Sequence, residues 1–140
     1  MPDTEDAQGG APDSTQAEDY SEYRLPNAVT SEELDLSTVR VCLVVNGLQT
    51  KLLSGKPKNA EVQVNFQERS FDVTAKVTVD KKKVIKYRKV VKKLPGEIDK
   101  SKCVVKYKKD QIILDLKKTE EYSWAVQLSS SGLDQSPDED

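Results

Sequence analysis

From Thr38 onward the apolar residues recur at every second position, a spacing that buries one face of a strand but cannot bury one face of a helix. Val39, Val41, Leu43 and Val45 share one side of TVRVCLVV, and Asn46-Gly47 then marks a turn. Val62, Val64 and Phe66 alternate with Glu61, Gln63, Asn65 and Gln67; Phe71, Val73, Ala75 and Val77 alternate with Asp72, Thr74 and Lys76. Only Glu68-Arg69-Ser70 separates these two runs, so they are expected to form a hairpin. A second hairpin turns at Asp80-Lys81-Lys82-Lys83, and its return strand puts Ile85 and Tyr87 on one side, Lys86 and Arg88 on the other.

Leu94-Pro95-Gly96 ends that run, because proline has no N–H for a ladder and glycine permits the turn. Cys103, Val105 and Tyr107 then alternate with Lys102, Lys106 and Lys108, and Ile112, Leu114 and Leu116 with Asp115 and Lys117. Trp124, Val126 and Leu128 read as a last strand. Seven short strands and no helical period predict an all-β fold, a seven-stranded antiparallel β-sandwich over residues 37–128. Phe71 and Trp124 are expected in its core, the latter against the first strand. Leu48 to Asn59 has no readable period: Leu52 and Leu53 either cover a sheet edge or sit on a mobile loop.

Charge divides the chain at the same boundaries. The formal net charge is only −2, but residues 1–36 hold ten acids against Arg24, residues 37–128 hold 21 of the 22 bases with ten acids, and residues 129–140 hold four acids and no base. Too few apolar residues are present in 1–36 and 129–140 to offset chain entropy, so both are expected to be disordered acidic arms. Opposite charges attract over about 8 Å at physiological salt, which lets such arms lie over the basic domain and compete with anionic partners. Within the N-terminal arm, DYSEYRL places Tyr20, Tyr23 and Leu25 as a short candidate docking strip.

Composition also narrows the chemistry. The chain has no histidine, which removes the commonest general base and metal ligand, and it has no glycine-rich phosphate loop or CxxC pair. No catalytic, cofactor or metal site is expected. Cys42 and Cys103 lie in apolar runs as small hydrophobes and imply no disulfide framework. MPDTEDAQGG has neither a basic start nor an apolar stretch, and no run approaches the roughly 20 apolar residues of a membrane span, so the expected setting is the cytosol, with diffusion into the nucleus, and no membrane partner. Nucleic acid is disfavoured, because no aromatic platform or recognition helix accompanies the lysines and the acidic arms compete with phosphate.

The segment LPGEIDKSKCVVKYKKDQIILDLKKTEEYSW resembles the CS domain of CHORD-containing and suppressor-of-G2-allele proteins, through Leu94 and Pro95, Ile98-Asp99, IILDLKK and Trp124. VQVNFQERSFDV is similar to the CS domain of the calcyclin-binding (Siah-interacting) type through Glu68, Arg69, Ser70, Phe71 and Asp72. The resemblance spans residues 37–128 and implies a non-catalytic co-chaperone or adaptor, with heat-shock protein 90 as the first candidate partner. The alternative is a tubulin, nuclear-distribution or ubiquitin-ligase adaptor. Small heat-shock proteins share a similar sandwich, but the C-terminal tail here lacks an Ile-x-Ile anchor.

Resemblance further implies that Val44 and Lys118 lie on a chaperone-contacting sheet face; read from the residues alone, Lys118 is a solvated strand-end lysine and Val44 a core or edge residue. Lys81, Lys82, Lys83, Lys86 and Arg88 make a basic hairpin suited to an acidic protein surface, and the strand bearing Lys102, Lys106 and Lys108 is expected to extend it into one patch. The expected state is a monomer. Family members often carry an aromatic near the start of the first strand, whereas Leu34-Asp35-Leu36-Ser37 has none.

Overall fold

Alternation resolves into two antiparallel sheets in a computed structural model that describes residues 20–81 and 83–136. Expectations for residues 1–19, for Lys82 and for residues 137–140 lie outside the described residues. The strands are β1 (Ala28–Asp35), β2 (Thr38–Val44), β3 (Ala60–Phe66), β4 (Phe71–Val79), β5 (Lys83–Val91), β6 (Val104–Lys108) and β7 (Gln111–Lys117). A short 3-10 turn, Lys100–Lys102, precedes β6, and one helix, α1 (Ala125–Ser131), follows β7. One sheet runs β1-β2-β7-β6 and the other β3-β4-β5, giving the seven-stranded sandwich.

The inward residues of β2, β4 and β7 fill the space between the sheets. Val39, Val41 and Leu43 on β2, Phe71, Val73, Ala75 and Val77 on β4, and Ile112, Leu114 and Leu116 on β7 are all buried. Each large apolar side chain removed from water in this way contributes about 1.5–3 kcal/mol. Cys42 and Cys103 are half-buried free thiols rather than fully interior ones.

Two elements differ from the sequence reading. β1 lies inside the stretch assigned to the disordered arm, so the sandwich begins at Ala28 rather than 37. Its residues are nearly all exposed, because it is an edge strand held by its backbone ladder to β2, from Ala28 opposite Val44 to Asp35 opposite Thr38. No apolar stripe announces it. At the other end, Trp124, Val126 and Leu128 are not a strand: the Leu128 amide bonds the Trp124 carbonyl as α1 begins, and Val126 is 76% exposed. Trp124 and Leu128, four apart, share the helix face toward the core, a spacing that a three-residue alternation cannot distinguish from a strand. Residues 129–136, read as tail, continue this folded segment: Asp134 accepts bonds from the Lys92 and Lys93 amides.

The connection from Leu48 to Asn59 is braced, not loose. Thr50 bridges Pro57, the Lys51 amide bonds the Lys56 carbonyl, and Asn59 Nδ2 reaches the Gly47 and Thr78 carbonyls. Its tip carries Leu52 and Leu53, which are 97% and 98% exposed and cover no sheet edge. Replacing both with serine is therefore expected to move the unfolding free energy by less than about 0.5 kcal/mol. A urea melt that shifts by several times that amount would mean the pair packs against something.

Candidate protein-binding surfaces

Antiparallel register decides which side chains share the outer face of the four-stranded sheet. Cys42 pairs with Ile113, Ile113 with Lys106, Val44 with Gln111, and Arg40 with Asp115. Ile113 is only 6% exposed yet stands outside the sandwich core, on this outward face. With half-buried Val44 and Cys42 it forms a small apolar island, of which Val44 and Cys42 are the accessible part. Arg40 donates to both carboxylate oxygens of Asp115 at 2.8 and 3.1 Å, and Lys106 Nζ lies 3.1 Å from the same group. These bonds, that from Arg40 first, hold the Asp115 carboxyl below its ordinary value. The result is an apolar centre rimmed by fixed charge, a composition suited to protein contact.

Lys118 does not join that face. It continues β7 by a bridge to Ile98, and its side chain is wholly buried. The ammonium donates to Glu33 Oε2 of β1 and to the Tyr122 carbonyl, both at 2.6 Å, and lies 5.1 Å from the Trp124 ring. Glu33 also accepts from the Trp124 amide and the Ser123 hydroxyl. The bond from Lys118, then that from Trp124, holds the Glu33 carboxyl below its usual value. Contrary to both sequence expectations, Lys118 is neither a presented contact nor a solvated lysine: desolvated and committed to Glu33, it locks β1 to the C-terminal segment.

The basic residues form two patches, not one. β5 edges the three-stranded sheet and β6 edges the other, so Lys86 and Arg88 belong to a different sheet from Lys106 and Lys108. Lys81 and Lys83 are exposed at the β4–β5 tip. Lys86 and Arg88 point from the outer face of β5, where the N-terminal segment reaches them: Tyr20 stacks 3.6 Å under the Arg88 guanidinium, Glu22 lies 3.5 Å from Lys86 Nζ, and the Tyr23 ring centre is 5.6 Å from it. Arg88 also donates twice to Asp72, which raises its pKa further. The docking strip suggested by DYSEYRL is thus occupied against the chain's own hairpin.

Among the described residues no group of three or more His, Cys, Asp and Glu side chains is placed to hold a metal ion, and no helix is long and apolar enough to cross a membrane. No protein-family model matches the chain, and no curated protein matches it. Among solved structures it is similar to heat shock protein 16.0 from Schizosaccharomyces pombe, at 14% identity and a TM-score of 0.54, over 71% of this chain and 91% of that one. At that identity the likeness shows the fold: an all-β sandwich of the small heat-shock-protein type.

Proposed function

We propose that this chain is a CS-domain adaptor or co-chaperone that binds another protein without catalysis, through the outer face of the four-stranded sheet. The observation carrying the reading is the island of Val44, Cys42 and Ile113, central on its sheet and bounded by Arg40, Asp115 and Lys106. Heat-shock protein 90 is the partner the sequence resemblance favours, and a sandwich of the heat-shock-protein type agrees with a chaperone-related role. The aromatic that family members carry is absent from Leu34-Asp35-Leu36-Ser37, so apolar contact on this chain falls more heavily on Val44.

Titrating the isotope-labelled full chain with heat-shock protein 90, with and without nucleotide, is expected to shift the amides of Val44, Cys42 and Ile113. Val44→Asp should weaken binding at least tenfold, since a carboxylate desolvated in an apolar contact costs more than about 1.4 kcal/mol. Lys118 should move only indirectly, because its ammonium is sealed inside. No binding at about 100 μM, an association weaker than about 5.5 kcal/mol, would set the chaperone partner aside.

The second reading is a cytoskeletal, nuclear-distribution or ubiquitin-ligase adaptor working through the hairpin tip, favoured by the exposure of Lys81 and Lys83. Charge reversal at Lys81, Lys82 and Lys83 should then abolish co-sedimentation with tubulin while leaving the shifts at Val44 intact.

A further inference from the structure

An edge strand leaves a row of backbone N–H and C=O groups unpaired, and proteins cover or charge such edges. On β5 Lys86 and Arg88 turn their backbone groups away from β4, and two of these groups are the Lys86 carbonyl and the Arg88 amide. Both are satisfied by a single residue of the N-terminal segment. The Arg24 amide donates to the Lys86 carbonyl and the Arg88 amide donates to the Arg24 carbonyl, each at 2.9 Å, in parallel register opposite Tyr87. This is strand addition to a sheet edge, reduced to one rung.

Side chains on either side of that rung specify more than backbone pairing needs. Tyr20 stacks on Arg88, and Glu22 pairs with Lys86, whose ammonium also approaches the Tyr23 ring. The Tyr23 amide folds back to the Tyr20 carbonyl, setting both rings beside the two cations. Residues 1–19 then add six acids and no base upstream. Beyond the rung, the Asn27 amide reaches the Val44 carbonyl, so the segment crosses from one sheet to the other. Little apolar surface holds it before Pro26, which is half-buried beside Leu43, Val45 and Tyr87: Leu25 is 70% exposed. The contacts are chiefly exposed charge and ring pairs, each weak in water and screened by salt.

We propose that the outer edge of β5 from Lys86 to Arg88 is a docking strip for an acidic peptide that presents tyrosine from a turn and adds one extended residue to the edge, and that Tyr20–Arg24 occupies it in cis until such a partner displaces it. The occupant defines the ligand: an aromatic ring for Arg88, a carboxylate for Lys86, and one extended residue for the backbone rung. This deepens the reading of the basic hairpin as a protein contact, and is independent of the island at Val44. A tethered segment acts at an effective concentration of about millimolar, so a partner of comparable intrinsic affinity meets a strip that is mostly filled. Weakening the tethered copy therefore raises apparent affinity for the outside peptide.

The probe is a labelled synthetic peptide of residues Glu18 to Pro26, measured against the full chain by fluorescence anisotropy. Tyr20→Ala with Glu22→Lys, two exposed changes outside the core, should bind it about tenfold more tightly than the unaltered chain. Adding Lys86→Glu should remove that gain. In parallel, hydrogen exchange of the Arg88 amide should be slow in the unaltered chain at every protein concentration and at least tenfold faster in the double variant. Equal peptide affinity in the two chains, or an Arg88 amide equally protected in both, overturns the proposal. So does protection that disappears on dilution, because a second copy would then be supplying the segment. A failed chaperone titration with these results intact would remove only the reading at Val44.

Discussion

Glu33→Ala is expected to lower the unfolding free energy by about 3–5 kcal/mol, the range for a buried charge deprived of its partner. The carboxylate is 20% exposed, but the ammonium it serves has no exposure at all, so truncation strands the cation of Lys118 inside the protein. The Trp124 amide and Ser123 hydroxyl lose their acceptor at the same time. Lys118→Met tests the other half of the pair and should cost much less, because a flexible apolar chain of similar length fills the site and leaves Glu33 access to water. Urea melts of the two single variants and the double variant form a cycle. If Glu33→Ala cost no more than Lys118→Met, the ammonium must be reaching solvent and the lock is misread.

The same pair dictates a pH dependence. Glu33 titrates below its ordinary value in the folded chain because Lys118, then the Trp124 amide, bonds its ionised form. A carboxyl depressed on folding contributes stability that is fully present above its unfolded pKa, about 4.3, and is lost as pH falls through the lower folded value. The stability gap between the unaltered chain and Glu33→Gln should accordingly be flat from pH 7 to about 5 and close at more acid pH. A gap that widened on acidification would reverse the assignment.

Most of the sandwich was legible because its central strands bury one face each. β2, β4 and β7 repeat apolar side chains every second residue, and the β3–β4 and β4–β5 hairpins carry their turn residues in plain view. β1 was not legible for the opposite reason: an edge strand whose inward anchor is Glu33 offers charge where a pattern search looks for a hydrophobe. Lys118 was misjudged by the same logic, since a lysine at a strand end is usually solvated and only its partner, 85 residues away in sequence, reveals the burial. Joining Lys86 and Lys106 into one patch failed because alternation gives the face of a strand but not which sheet it joins. The strip at Tyr20 was visible as acids and rings; its target was not, because the Arg24 rung on β5 depends on backbone geometry.

Trp124→Ala is the other large effect, expected at about 3–5 kcal/mol. The indole is fully buried at the point where the C-terminal segment meets the core. Gly96 lies close enough that an added Cβ would sit 2.9 Å from Nε1 and nearer still to the Tyr122 hydroxyl, so the indole packs directly on the Gly96 backbone beside Tyr122. Cavity cost then adds to the lost transfer energy. The indole Nε1 has no hydrogen-bond partner among the described residues, so removing it forfeits packing rather than a bond, and Trp124→Phe should recover more than half of the loss. Truncation should also loosen what the indole anchors: α1 starts from Trp124, and the segment beyond it reaches the Lys92 and Lys93 amides through Asp134. Hydrogen exchange at those two amides should quicken along with the fall in the urea midpoint. Val126→Ala separates helix from strand, because a strand would turn Val126 inward beside Trp124 whereas the helix leaves it in water. A loss under about 0.5 kcal/mol supports the helix; a loss above about 1.5 kcal/mol, typical of a buried valine, would restore the strand and move the edge of the core.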